Sequence, residues 1–187
     1  MSLRQLPNLI CIARMVLVVP IALSIVAGDY RRTLLLFAVA AFSDALDGFL
    51  AKRFGWTTDL GKILDPLADK LLLVTVFIML AVAGTTPVWL ATLVVARDVV
   101  IGFGALAYRW LFGPLHGRPT AVSKVNTAVQ LAYVLAAVAA RAFGWPPDPA
   151  VLTLGALVMV TTAISGIDYV HSYIRRARDA ARMRHPA

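Results

Sequence analysis

Four aspartates with helical spacing are the residues of this sequence best suited to chemistry. Asp44 and Asp47 are three residues apart, and Asp65 and Asp69 are four apart, so each pair lies on one face of a helix. All ten acidic residues are Asp, and five of them fall between Asp44 and Asp69. Clustered carboxylates repel one another unless cations compensate, and oxygen-only donors favour magnesium or manganese. The pattern therefore predicts a site where divalent cations can clamp a pyrophosphate.

The elements that carry these aspartates are predicted to be membrane-spanning helices. Hydrophobic residues make up 60% of the 187 residues and the mean hydropathy is +0.79, which is too apolar for a water-soluble domain. Windows of about 20 apolar residues predict an all-α polytopic membrane protein with about six transmembrane helices. We place these spans at residues 8–28, 33–53, 61–83, 86–110, 120–142 and 150–174. No linker or repeat divides the sequence, which predicts one domain over residues 1–187.

Antiparallel packing of the second and third spans would bring the four carboxylates together. A short loop near residues 54–60 joins the two spans. At a rise of about 1.5 Å per residue, Asp47 and Asp65 lie about 8–9 Å from this loop, and Asp44 and Asp69 lie about 13 Å from it. The two pairs are therefore expected to meet at matching depths.

The basic residues predict the orientation of the protein in the membrane. Lys and Arg number 18 against 10 acidic residues, a net charge of +8, and at this hydropathy the partner is an anionic membrane surface and not nucleic acid. An even number of spans puts both termini on one side, which carries most of the basic residues. The other side has only Arg31, Arg32 and Arg141. Because Lys and Arg are retained in the cytoplasm, both termini are predicted to be cytoplasmic.

Residues 44–69 resemble the motif of the CDP-alcohol phosphotransferases, Asp-x2-Asp-Gly-x2-Ala-Arg-x8-Gly-x3-Asp-x3-Asp. Every spacing is kept, and Lys52 stands where the family usually has Arg. Lysine keeps the positive charge and loses the planar fork of the guanidinium. The resemblance implies metal-dependent transfer of a phosphatidyl group from CDP-diacylglycerol to an alcohol, with release of CMP. It also implies two divalent cations, Mg²⁺ or Mn²⁺, as cofactors. It further implies that the protein forms a homodimer and contacts membrane lipids.

The resemblance assigns a role to each motif residue. The ligands of the two cations would be Asp44, Asp47, Asp65 and Asp69. Asp69 would also be the catalytic general base, taking the proton of the acceptor hydroxyl. The residues lining the CDP moiety would be Asp47, Gly48, Ala51, Lys52 and Gly61.

The acceptor alcohol is predicted from residues outside the motif. Residues 118–130 are similar to the corresponding segment of CMP-forming cardiolipin synthases, as are residues 6–8, 65–70 and 96–98. This likeness implies phosphatidylglycerol as the acceptor and cardiolipin as the product. Phosphatidylglycerophosphate synthases, whose acceptor is glycerol 3-phosphate, share the size, topology and motif and remain the alternative. In either case the residues predicted to bind the lipid or acceptor phosphate are Arg14, Lys70, Arg97, Arg118 and Lys124.

Several of these residues also have simpler interpretations. Arg14 and Arg97 could instead pair with acids such as Asp98, and Asn126 and Gln130 could form hydrogen bonds between helices. A small cation transporter is a more distant alternative, because intramembrane acids also mark ion pathways. The expected location is a bacterial inner membrane with the active site toward the cytoplasm, since no long transit segment precedes the first span.

Overall fold

The computed structural model describes residues 6–54, 61–112 and 120–184, and over these residues it is all-helical, with no strand. Within these described ranges, six helices follow one another: α1 (Leu6–Val26), α2 (Tyr30–Phe54), α3 (Gly61–Val82), α4 (Val88–Phe112), α5 (Ala121–Phe143) and α6 (Asp148–Arg184). The predicted all-α class is confirmed.

The predicted spans correspond one to one with the helices, and all but one of their ends agree to within three residues. The exception is α6, which continues to Arg184, well beyond the predicted end at residue 174. A hydropathy window ends where the apolar run ends. The helix continues because residues 175–184 are rich in Ala and Arg, which are among the strongest helix formers.

Four of the described helices, α1, α4, α5 and α6, contain stretches long and apolar enough to cross a membrane. Charged residues interrupt the apolar stretches of the other two, with Asp44 in α2 and with Asp69 and Lys70 in α3. The apolar helices identify an integral membrane protein. Six crossings and cytoplasmic termini stay predictions.

The helices pack so that α1 lies against α2 and α3, and α6 lies against α4 and α5. Further contacts join α2 and α3 to α5, and α3 to α4. In the interior, the ring of Phe77 from α3 stacks on Tyr133 from α5 with centroids 5.8 Å apart. Large apolar side chains such as Val16, Phe42 and Phe103 are exposed on the outside. A surface of this kind suits contact with lipid tails and not with water.

Polar side chains link α5 to α6 in the interior. Asn126 is fully buried, and its Oδ1 accepts hydrogen bonds from Thr161 Oγ1 and Thr162 Oγ1, both at 2.9 Å. Gln130 Nε2 donates to Thr162 Oγ1 at 3.4 Å. The interpretation of Asn126 and Gln130 as residues that bind one helix to another is confirmed.

Three tight turns close one end of the bundle. Gly28, Gly84 and Gly144 follow the ends of α1, α3 and α5 with φ of 73°, 69° and 70°. Glycine adopts a positive φ at the end of a helix without the steric cost that a Cβ would bring, and the turn then satisfies the last carbonyls. These turns hold each helix pair antiparallel, with Asp44 and Asp69 toward the other end of the bundle.

Candidate active site

Two of the four motif aspartates, which come from different helices, meet at one arginine. Arg14 of α1 is 1% exposed, and its Nη1 lies 2.7 Å from Asp44 Oδ1 of α2 and 2.6 Å from Asp69 Oδ1 of α3. Both aspartate side chains are about half exposed, at 52% and 50%. The packing of α1 against α2 and α3 creates this contact. The two carboxylates thus converge, as their matching depths along the helices predict.

The remaining motif aspartates, Asp47 and Asp65, belong to α2 and α3, and their side chains lie outside the described part of the structure. Among the described side chains, no group of three or more His, Cys, Asp or Glu forms a metal-binding cluster. The donor chemistry nevertheless fits a hard divalent cation, because Asp44 and Asp69 already offer oxygens from two helices to one shared cationic group. The metal-ligand roles stay predictions.

A second buried arginine, Arg97, joins helices α4, α5 and α6. Arg97 of α4 has a side chain only 6% exposed, and its Nη1 lies 2.6 Å from Asp98 Oδ1. Its Nη2 donates hydrogen bonds to Ser123 Oγ of α5 at 2.8 Å and to Ser165 Oγ of α6. Asp98 also lies 3.8 Å from Lys70 Nζ of α3. The interpretation of Arg97 as one half of an internal ion pair with Asp98 is confirmed, and contact with a phosphate stays a prediction.

A pocket of about 550 Å³ joins these two regions between α3, α4, α5 and α6. The charged residues that line it are Asp69, Lys70, Arg97, Asp98 and Lys124. Tyr169, whose ring centroid lies 5.6 Å from the Arg97 guanidinium carbon, closes one side. Apolar side chains of Leu73, Ile101 and Leu131 line another part of the wall. The pocket therefore offers a carboxylate, cationic groups and an apolar surface to one ligand.

The structure brings together some of the residues predicted from the sequence and leaves others undescribed. Lys70, Arg97 and Lys124, three of the five predicted phosphate-binding residues, line the pocket beside Asp69. Arg14 pairs with carboxylates instead of lining that pocket. The other predicted positions fall outside the described part of the structure, Arg118 entirely and Gly48, Ala51, Lys52 and Gly61 by their side chains.

Sequence reasoning missed two residues around Arg97. Ser165 accepts a hydrogen bond from its guanidinium, and Tyr169 packs under it. A signal was present, because Thr161, Ser165 and Tyr169 recur every four residues and place a polar stripe along an otherwise apolar span. That stripe indicates the face of α6 that is turned toward the polar site.

Comparisons with known proteins agree with this architecture. A family model described as CDP-alcohol phosphatidyltransferase matches residues 4–167. The chain is 34% identical to the cardiolipin synthase (CMP-forming) of Homo sapiens over 182 residues, which cover 89% of this chain and 60% of that relative. It is 35% identical over 187 residues to the chloroplastic CDP-diacylglycerol–glycerol-3-phosphate 3-phosphatidyltransferase 1 of Oryza sativa subsp. japonica, covering 90% of this chain and 57% of the relative. A probable phosphatidylglycerophosphate synthase of Mycobacterium tuberculosis is 27% identical over 185 residues, covering 91% of this chain and 82% of the relative.

Fold and site together define an integral membrane protein of the helical class with a carboxylate site inside its bundle. The chain belongs to the CDP-alcohol phosphatidyltransferase family, whose members generally depend on divalent metal ions. It spans about 60% of the length of the human cardiolipin synthase that it matches.

Proposed function

We propose that this chain transfers the phosphatidyl group of CDP-diacylglycerol to phosphatidylglycerol, forming cardiolipin and releasing CMP. The observation that carries the proposal is the pocket in which Asp69 lies beside Lys70, Arg97 and Lys124. Such a pocket can hold an anionic acceptor with its hydroxyl next to a carboxylate. Membership of the CDP-alcohol phosphatidyltransferase family supports the reaction class.

Asp69 is the proposed general base. Its side chain is half exposed and lines the pocket, so it can accept the proton of an acceptor hydroxyl bound there. The acceptor oxygen then forms a bond to the phosphorus that carries the diacylglycerol, and the bond from that phosphorus to the oxygen of CMP breaks. The proton ends on Asp69, and CMP leaves with the bonding electron pair. No covalent enzyme intermediate is needed.

The divalent cations are proposed to bind at the four aspartates of the motif. Asp44, Asp47, Asp65 and Asp69 would hold two Mg²⁺ or Mn²⁺ ions. When bound, these ions supply charge neutralisation at the pyrophosphate and at the departing CMP. The nucleotide itself would contact α2 and the start of α3, through Asp47, Gly48, Ala51, Lys52 and Gly61.

The cationic residues of the pocket have different proposed roles in binding the acceptor phosphate. Lys70 has a side chain 46% exposed and Lys124 is exposed, so both ammonium groups can meet a phosphate oxygen directly. Arg97 is committed to Asp98 and to two serine hydroxyls, and it therefore contributes mainly by fixing the wall of the pocket. Arg118 and Arg14 are the other two predicted contacts, and Arg14 is paired with Asp44 and Asp69.

Glycerol 3-phosphate is the second candidate acceptor, because the same cationic residues suit its phosphate. The names of the rice and Mycobacterium relatives support this alternative. Phosphatidylglycerol is favoured by the apolar wall of Leu73, Ile101 and Leu131, which a small polar acceptor would leave uncovered. The human relative, named a CMP-forming cardiolipin synthase, supports the same choice.

The proposal extends to a homodimer in a bacterial inner membrane, with the active site toward the cytoplasm. The distribution of Lys and Arg supports the orientation. Fractionation of the membranes of the native host tests the location, and the mass of the protein in lipid nanodiscs tests the dimer.

An acceptor comparison tests the function. Purified protein receives CDP-diacylglycerol with Mg²⁺, Mn²⁺ or EDTA, and either phosphatidylglycerol or glycerol 3-phosphate, and mass spectrometry follows CMP and lipid products. We expect cardiolipin and CMP with phosphatidylglycerol, and neither product in EDTA. Phosphatidylglycerophosphate as the main product would support the second candidate. Absence of metal-dependent CMP release with any alcohol would overturn both and favour a cation transporter.

A further inference from the structure

Arg14 lies where a cation shared by Asp44 and Asp69 would lie. We propose that Arg14 is an internal counter-cation of the acidic site, which holds these two carboxylates together until a divalent cation binds and then gives up their oxygens to it. The inference rests on the proposed function, since it presumes that these carboxylates bind metal. It makes Arg14 a positioning residue and not a catalytic one.

The geometry makes the guanidinium and the metal competitors. One nitrogen, Nη1, is within 2.7 Å of an oxygen from each carboxylate. A magnesium or manganese ion held by the same two oxygens would lie close to Nη1 and would carry the same sign of charge. Like charges at such a distance repel strongly away from bulk water. Binding of one cation therefore weakens the hold of the other.

Arg14 is shielded from water, whereas the two carboxylates that it pairs with remain accessible. Arg14 is 1% exposed, so its charge depends on protein partners and not on water. Asp44 and Asp69 are half exposed, so an incoming ion can reach them.

Arg97 provides a matched comparison inside the same molecule. It is also buried and also pairs with an aspartate, at 2.6 Å from Asp98. Its guanidinium also donates hydrogen bonds to the hydroxyls of Ser123 and Ser165, on helices other than those that carry Asp44 and Asp69. Removal of Arg97 is expected to destabilise the bundle to the same extent with and without metal.

The experiment compares Arg14→Met, which keeps an unbranched apolar stem, with the unmodified chain and with Arg97→Met. Each full-length protein in detergent is unfolded by heat in EDTA and at increasing Mn²⁺, and free Mn²⁺ is measured by electron paramagnetic resonance. For Arg14→Met we expect a lower Tm in EDTA, a larger rise in Tm with Mn²⁺ than in the unmodified chain, and Mn²⁺ binding tighter on the order of tenfold. Arg97→Met is expected to show the unmodified rise.

An unchanged or smaller Mn²⁺ response in Arg14→Met would overturn the inference, because Arg14 would then be a structural anchor or an aid to metal binding. If Arg14→Met cannot be purified in EDTA, Arg14→Gln and purification in Mn²⁺ replace it. Recovery of folded protein only with Mn²⁺ is the strongest form of the expected result. Unfolded protein with and without Mn²⁺ for both variants would overturn it.

The same measurements separate this inference from the proposed function. An unmodified chain that shows neither Mn²⁺ binding nor metal-dependent CMP release would overturn the function and the inference together. An unmodified chain that binds Mn²⁺ and releases CMP, with an Arg14→Met variant of equal Mn²⁺ affinity, would overturn the inference alone.

Discussion

Asp69 belongs to both halves of the site. Its Oδ1 lies 2.6 Å from Arg14 Nη1 on the acidic side, and its side chain lines the pocket that contains Lys70 and Lys124. Among the described aspartates of the motif, Asp44 meets Arg14 but does not line that pocket. This difference in position supports the choice of Asp69 as the general base.

Replacement of Asp69 by asparagine is expected to abolish most of the activity. The asparagine side chain would keep the size of the aspartate and lose its ability to accept a proton, so we expect kcat for CMP release to fall by about 10²–10⁴-fold. The measurement is the initial rate with CDP-diacylglycerol, phosphatidylglycerol and Mn²⁺. Asp148→Asn, at the first turn of α6 and at the opposite end of the bundle, is the matched control and should keep the rate. A normal rate for Asp69→Asn would exclude it as the base.

The contribution of Arg97 to stability is expected to depend on the shape of its guanidinium as well as on its charge. Its guanidinium contacts Asp98, Ser123 and Ser165, which belong to three different helices, and an ammonium group cannot reach all three in the same plane. We expect Arg97→Lys to lower the free energy of unfolding by about 2 kcal/mol, through loss of hydrogen bonds to a charged donor. Unfolding in sodium dodecyl sulfate, followed by circular dichroism, measures the change.

The control for that experiment is Arg141→Lys. Arg141 is exposed at the end of α5, so its replacement is expected to change stability by less than about 0.5 kcal/mol. Equal losses for Arg97→Lys and Arg141→Lys would mean that the planar contacts of Arg97 contribute nothing beyond its charge.

At the scale of the helices, the close approach of α6 to its neighbours depends on one small residue. Gly155 is buried, and a Cβ built on it would lie 3.3 Å from Tyr133 Cε2 of α5 and 3.7 Å from Leu90 Cδ2 of α4. Tyr133 in turn donates a hydrogen bond to buried Thr86 Oγ1 at 3.1 Å and stacks on Phe77. The ring is therefore held from several sides and has little room to move.

A bulkier residue at position 155 is expected to push α6 away from α4 and α5. We expect Gly155→Val to lower the free energy of unfolding by about 1–3 kcal/mol, the usual range for overpacking a tight contact. The matched control is Gly102→Ala in α4, where a Cβ would meet nothing within 4 Å. That variant should be neutral or stabilising by up to about 1 kcal/mol, since alanine favours the helix. A neutral Gly155→Val would show that α6 can shift without loss.

The helices were predictable from the sequence, and the contacts of the two arginines were only partly so. The length of an apolar stretch is enough to predict a membrane helix without knowledge of the rest of the fold. The spacing of the residues from Asp44 to Asp69 predicts which carboxylates share a helix face. The pairing of Arg14 with both carboxylates joins residues 30 and 55 positions apart and depends on how three helices pack. A long, flexible arginine side chain can form an ion pair with any of several acids, and the spacing of residues in the sequence does not show which one.

For the whole molecule, the structure adds an asymmetry between the two ends. The three glycine turns occupy one end, and Arg14, Asp44 and Asp69 lie toward the other. The exposed aromatic residues Trp89, Trp110 and Trp145 lie near helix ends, as side chains at a membrane interface do. A protein built in this way is expected to hold its acidic site at one face of the membrane and its tight turns at the other.

Labelling of single cysteines tests that orientation. Cys11 is buried and is the only cysteine in the sequence, so Cys11→Ser provides the background. Ala83→Cys lies in the turn after α3, and exposed Arg53→Cys lies near the end of α2 that leads toward α3. The 22 residues of α3 span about 33 Å, enough to cross the hydrocarbon core.

In sealed right-side-out vesicles, a membrane-impermeant maleimide is expected to label Ala83→Cys directly and Arg53→Cys only after permeabilisation. This result follows if α3 crosses the membrane and the basic end of the bundle is cytoplasmic. Labelling of both cysteines from outside would mean that α3, which carries Asp69 and Lys70 in its first half, does not cross. The reverse pattern would mean that the crossing is right and the orientation is inverted, so that the acidic site would face away from the cytoplasm.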